Sequence, residues 1–232
     1  MISSKDQLEK AALDYGLLPF FSNRIPGFSV EEMAAPGMLF GEESDDYGCW
    51  EWKGPVIREQ TTAYGKFFRR KAGFVSLPLL PDFLNYRRQA YPVSSGSTEA
   101  MILDIIREHE GLTSTELKRI VFDSMPREKN ISRNELPETT AGGRPKRKTL
   151  ESPLQRLQMG GWILIADFEY KYTSRGDRYG WGVALYSTPE IWLGNSIATT
   201  EHTPQESLDF LIDHLSGKLP GTDRRLILNL LT

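Results

Sequence analysis

ILDIIREHEGLTSTELKR (102–119) is the stretch whose reading decides the fold. Met101, Ile102, Ile105 and Ile106 form one apolar face at helical spacing, so an amphipathic helix runs to just before Gly111. Thr113 followed by Glu116 has the spacing of a capping box, in which hydroxyl and carboxylate satisfy backbone donors at a helix start. Leu117, Ile120 and Val121 give that second helix a buried stripe. Leu150, Leu154 and Leu157 mark a third helix, whose first turn accommodates Pro153 and which Gly160 and Gly161 end. The segment 162–170 alternates as a strand does, KYTSRGDRYG (171–180) reads as a hairpin connection, and WGVALYS (181–187) returns as a second strand. Three helices followed by a β-hairpin wing is the winged-helix order, and the sequence predicts such a domain over 97–190.

The regions on either side are less regular. Toward the N-terminus, Leu8, Ala11, Ala12 and Tyr15 recur at helical spacing before Gly16 and Pro19 supply a stop, and a short helix is expected near Ser29 to Met33. The aromatic and β-branched runs of 49–57, 63–69 and 73–77 predict a small antiparallel sheet. Pro78 and Pro81 end it, 82–88 reads as a helical turn, and YPVSSGST (91–98) reads as a linker. Beyond Pro189, Leu208, Leu211, Ile212 and Leu215 place one helix over 204–215, and a second is expected over 223–231. The expected class is therefore α+β: an N-terminal α+β region (1–93), possessing a divergent winged-helix-like character, then the winged-helix domain (97–190) with a basic insertion at 126–148, then C-terminal helices (191–232).

Composition narrows the function. At 232 residues, with 39% hydrophobic and 25% charged side chains, the chain can build a core without staples. One cysteine, Cys49, cannot form an internal disulfide, and no apolar run has the length of a signal peptide core or a membrane span, so a cytoplasmic protein with no membrane partner is expected. His109, His202 and His214 lie far apart, so no metal site is expected, and no phosphate loop, dinucleotide fingerprint or nucleophile elbow occurs, so no cofactor is expected. The net charge of −3 argues against a protein coated in positive charge, and makes the distribution of charge decisive.

That distribution is uneven. Between 126 and 148, Arg127, Lys129, Arg133, Arg144, Lys146, Arg147 and Lys148 stand against Glu128, Glu135 and Glu138, a local balance of +4. GGRPKRK (142–148) looks like the Arg-Pro core of a minor-groove AT-hook, although a solvated basic loop has the same composition. In a helix-turn-helix unit the helix after the turn enters the major groove, so Ser152, Gln155, Arg156 and Met159 are candidates for base contact; the same residues also suit an ordinary solvated face. The hairpin adds Lys171, Arg175 and Arg178 beside Tyr172 and Tyr179, a mixture that grips phosphates and stacks on bases. Double-stranded DNA is the expected partner. For chemistry, the sequence offers weak candidates: Glu51 and Lys53, placed on the strand face opposite Trp50 and Trp52, and Glu9 in the opening helix. Core packing of the two tryptophans is the plainer reading.

GLLPFF (16–21), WEWKGPVIRE (50–59), AYGKFFRRKAGFVSL (63–77), PDFLNYRR (81–88), RLQM (156–159) and YGWGVALYSTPE (179–190) resemble the AlkZ-related proteins. The helix-turn-helix and hairpin segments also resemble a winged-helix repeat of the AlkZ-type DNA glycosylases, which remove alkylated or crosslinked bases. The resemblance implies DNA binding in repair or regulation. Those enzymes carry a Gln-x-Gln or Gln-x-Asp triplet that positions the attacking water; here the nearest form is Gln7-Leu8-Glu9, and none of the other glutamines begins such a triplet. Three readings therefore stand at this point: a DNA-binding protein without that catalytic motif, a glycosylase that uses a different carboxylate, and a winged helix serving protein interaction.

Overall fold

The computed structural model describes residues 1–41, 48–124, 150–176, 178–194 and 199–232. The chain opens with helix α1 (Lys5–Tyr15), started by the Ser4 hydroxyl accepting from the Gln7 N–H and ended at Gly16, whose φ of 73° few side chains tolerate. Strand β1 (Leu17–Pro19) and helix α2 (Val30–Met33) follow, the latter in the stretch where a short helix is expected and capped by Ser29.

The segment 49–57 departs from the expected strand: it is helix α3 (Cys49–Arg58). Cys49, Lys53, Val56 and Ile57 are among its buried positions, a spacing of four, three and one that a helix places on a single face. Alternation of aromatic with polar residues in CWEWK imitates a strand over five residues; burial over the full ten shows the helical period. The consequence for the site candidates is direct. Glu51 and Lys53 do not share a strand face, and Lys53 lies beneath the helix with 2% of its surface exposed.

Strands β2 (Thr62–Phe68) and β3 (Lys71–Ser76) form the predicted hairpin, and β1 pairs antiparallel with β3 to give a sheet of order β1-β3-β2. Gly73 is required at its place in β3, because a Cβ there would stand 2.5 Å from the Phe68 ring and 2.6 Å from the Leu18 carbonyl oxygen. A 3₁₀ turn (Leu77–Leu79) leads into helix α4 (Leu80–Ala90), a full helix where the sequence indicated one turn. It buries Arg87 completely, with its guanidinium donating to the Phe67 carbonyl and lying over the Phe83 and Tyr91 rings.

The decisive stretch folds as read. Helix α5 (Thr98–Glu108) buries Ile102, Leu103 and Ile106, and helix α6 (Ser114–Ser124) begins at the predicted capping box: the Thr113 N–H donates to Glu116 Oε2 at 3.0 Å and the Glu116 N–H to Thr113 Oγ1 at 3.2 Å. Between them a two-residue strand, β4 (Leu112–Thr113), carries no sequence signal of its own. Helix α7 (Glu151–Met159) precedes the hairpin of β5 (Leu164–Tyr172) and β6 (Arg178–Ser187), and β4 completes a second antiparallel sheet of order β4-β6-β5. The hairpin strands reach further than predicted, with Tyr172 paired to Arg178.

Helix α8 (Pro189–Leu193), capped by Thr188, was not anticipated, whereas α9 (Pro204–Lys218) and α10 (Arg224–Leu231) were. The molecule is thus a mixed α/β structure built on two small antiparallel sheets. A single cluster of buried apolar side chains runs from Ile2 to Leu231, joining both sheets and the C-terminal helices. Among the described residues no helix is long and apolar enough to cross a membrane.

Candidate nucleic-acid interface

Helix α7 carries all four of the residues singled out from the sequence for base contact. Its buried side, Leu154, Leu157 and Gln158, faces the core, and Ser152 and Arg156 remain exposed. Met159 is buried rather than presented to solvent. Two glutamines fasten the helix to the N-terminal sheet: Gln158 Oε1 accepts from the Lys66 N–H at 3.0 Å, and Gln155 Nε2 donates to the Arg70 carbonyl at 3.4 Å. Gln155 is therefore partly spent on the neighbouring turn. Arg156 keeps about half its surface, with Glu99 at 3.9 Å and the Tyr91 ring 5.8 Å beneath its guanidinium.

The turn that Gln155 touches is the feature sequence reasoning missed. Phe68 pairs with Lys71, so Arg69 and Arg70 are the two central residues of the β2–β3 hairpin, and both are left-handed, with φ of 47° and 69°. That geometry matches the twist of the strands but ordinarily selects Asn-Gly. Here it presents two arginines and then Lys71, all exposed. The motif FRRK was visible in the sequence; its position against α7 was not, because the contact spans some eighty residues.

Behind the turn lies a cleft of about 360 Å³ lined by Pro19, Phe21, Ser22, Asn23, Arg24, Phe68, Arg69, Lys71 and Leu230. Three of these are cations and none is a carboxylate. Lys71 Nζ donates to the Ser22 carbonyl at 2.7 Å, and Arg69 donates to both the backbone oxygen (3.1 Å) and Oδ1 (2.5 Å) of Asn229 on α10.

On the β5–β6 hairpin, Lys171 and Arg175 are exposed beside Tyr172, itself 61% exposed. The side chain of Arg178 lies outside the described residues, as do Arg144, Lys146, Arg147 and Lys148 of the basic insertion. The base of the same hairpin is packed rather than free: Phe168 meets Tyr64 at a ring separation of 6.3 Å, and Arg58 pairs with Asp167 at 2.7 Å.

The candidates for chemistry lie on α1 and α3. The Lys53 ammonium donates to the Trp50 carbonyl and lies 3.8 Å and 4.4 Å from the Trp50 and Phe168 ring centres, a cation held between aromatic faces. Glu51 is half-buried on the same helix. Glu9 accepts from Thr61 Oγ1 at 3.0 Å and pairs with Lys5 at 3.4 Å, tying α1 to the start of β2. Glu9 and Lys53 are thus engaged within the fold. Cys49 is buried, and loss of solvent pushes its thiol up to about 11. Among the described residues no three His, Cys, Asp or Glu side chains are grouped to hold a metal ion.

Fold and site together define a mixed α/β protein in which Arg69, Arg70 and Lys71 of one hairpin turn stand beside helix α7 and its exposed Arg156. The chain belongs to the AlkZ-related family, whose model matches residues 2–232. No curated protein and no solved structure matches it.

Proposed function

We propose that this chain is a DNA-binding winged-helix protein that works in DNA repair or its regulation, with duplex DNA as its partner. The element order α5, β4, α6, α7, β5, β6, with β4 closing the hairpin into a three-stranded sheet, supports the winged-helix reading. The observation that carries the binding surface is the hydrogen bond from Gln155 to Arg70, which makes α7 continuous with the Arg69-Arg70-Lys71 turn. Ser152 and Arg156 would approach base edges, while the turn, the hairpin cations Lys171, Arg175 and Arg178, and the insertion cations Arg144, Lys146, Arg147 and Lys148 would hold phosphates. Membership of the AlkZ-related family supports the same partner. The proposal assigns no catalytic residue, since Glu9 and Lys53 serve contacts within the fold.

Fluorescence anisotropy with labelled duplex, single-stranded and abasic DNA at two salt concentrations tests it. Phosphate-dominated binding falls steeply as salt rises. The variant with alanine at Arg144, Lys146, Arg147 and Lys148 should bind more weakly at low salt and show a shallower salt dependence. Equal binding by the variant removes the insertion from the surface; no binding of the parent protein to any DNA turns the reading toward protein interaction.

A further inference from the structure

The cleft behind the β2–β3 turn has a composition that binding along a DNA helix does not require. Its rim is cationic, with Arg24, Arg69 and Lys71, and its floor is apolar and aromatic, with Phe21, Phe68 and Leu230. Glu31, whose carboxylate accepts from the Ser22 N–H at 2.7 Å, does not itself line the cleft. Like charges gathered at one concave site repel one another unless an anion joins them. The two side chains from the hairpin are held in advance, Lys71 by the Ser22 carbonyl and Arg69 by Asn229, while Arg24 has no ion-pair partner among the described residues. The volume falls at the lower end of small-ligand clefts, which run from about 300 to 1,000 Å³.

We propose that this cleft binds a nucleotide phosphomonoester, with the phosphate at the three cations and the base against the apolar floor. Phosphate favours the paired donors of arginine, and an aromatic or aliphatic wall accepts the face of any base. The same chemistry is offered by a free mononucleotide and by the 5′-phosphorylated end of a strand. The inference goes beyond duplex binding: the cleft shares Arg69 and Lys71 with the turn proposed to hold duplex phosphates, and Arg24, which that reading does not use, distinguishes the two.

The test is isothermal titration of the full chain with deoxyadenosine 5′-monophosphate, deoxyadenosine, inorganic phosphate, and a short single strand bearing a 5′-phosphate or a 5′-hydroxyl. The expected result is at least tenfold tighter binding of the monophosphate, of the 5′-phosphorylated strand, or of both, than of the matching ligand without phosphate, and of the monophosphate than of inorganic phosphate where it is the ligand that binds. A preference confined to the free nucleotide identifies a small-molecule site; one confined to the strand identifies a strand-end site. Arg24→Ala should weaken the phosphorylated ligand about tenfold and Arg24→Glu should abolish it; Arg24 is exposed, and circular dichroism checks that both variants fold. The inference is overturned if no phosphorylated ligand binds, if phosphate makes no difference, or if Arg24→Glu binds as the parent does. The four-alanine insertion variant should retain this binding whether or not it binds duplex.

Discussion

Arg70→Gly separates what the β2–β3 turn does for the fold from what it does for binding. Arg69 and Arg70 hold φ of 47° and 69°, and a left-handed conformation costs a residue with a Cβ roughly 1–2 kcal/mol. Glycine removes that cost at position 70 but gives back about 0.5–1 kcal/mol through the greater freedom of the unfolded chain. The net expectation is a stabilisation of about 1 kcal/mol, read as a rise in melting temperature of about 2–4 °C for a chain of this size. No hydrogen bond is lost, because Gln155 donates to the Arg70 backbone carbonyl, which glycine keeps. Binding should move in the opposite direction: one lost phosphate contact lowers the slope of log K against log salt by about 0.9 for duplex DNA. Calorimetry and anisotropy between about 50 and 200 mM salt read the two effects on one protein. A lower melting temperature would refute the strain argument, and an unchanged salt slope would refute the placement of Arg70 at the phosphate surface.

Three further expectations follow from the packing. Gly73→Ala should destabilise the protein by about 3 kcal/mol, because the new methyl meets both the Phe68 ring and a backbone oxygen that cannot swing away; chemical denaturation that shows a loss under 1 kcal/mol would contradict it. Burial of Asp82 would raise its pKa, yet hydrogen bonds from Ser207 (2.6 Å), His202 (2.8 Å) and Thr200 (3.0 Å) outweigh it and hold the carboxyl below its ordinary 3.8. Its contribution is therefore complete above that value and fades as pH falls through the lowered one, so Asp82→Asn should cost about 1.5–3 kcal/mol near neutrality and much less in acid, as a denaturation series against pH would reveal. Cys49, with its thiol at about 11, should resist a thiol reagent in the folded state at neutral pH and react at once in denaturant; rapid labelling of the native protein would place it at the surface.

Local signals were legible and distant ones were not. The Thr113–Glu116 capping box and the leucine stripe of α9 are relations between residues three or four apart, and each appears where the sequence places it. The resemblance to AlkZ-related proteins is likewise carried by motifs spread along the chain, and the family match covers residues 2–232. Helix α3 was misread because CWEWK alternates over the few residues where a strand and a helix look alike; its period emerges only when Val56 and Ile57 join Cys49 and Lys53 on the buried side. Strands β1 and β4 have three and two residues, too short for any period, and exist because β3 and β6 offer them edges. Arg87 illustrates the limit differently: nothing in PDFLNYRR tells which of two adjacent arginines is buried beneath Phe67 and which reaches out to Glu190.

The cationic cleft follows the same rule, in a chain whose net charge is −3. The sequence marked the insertion because its charges are consecutive, whereas Arg24 joins Arg69 and Lys71, already neighbours in FRRK, only when β1 pairs with β3 and Pro19 comes opposite Gly73. That pairing fixes the segment after Pro19 beside the turn, and the Lys71 bond to Ser22 fastens it there. Glycine at 73 lets the Phe68 ring and the Leu18 carbonyl approach closely enough for the three strands to meet. A cation distant along the chain is thus brought to the turn by strand order, and the residue that permits the approach is an uncharged one buried in the sheet.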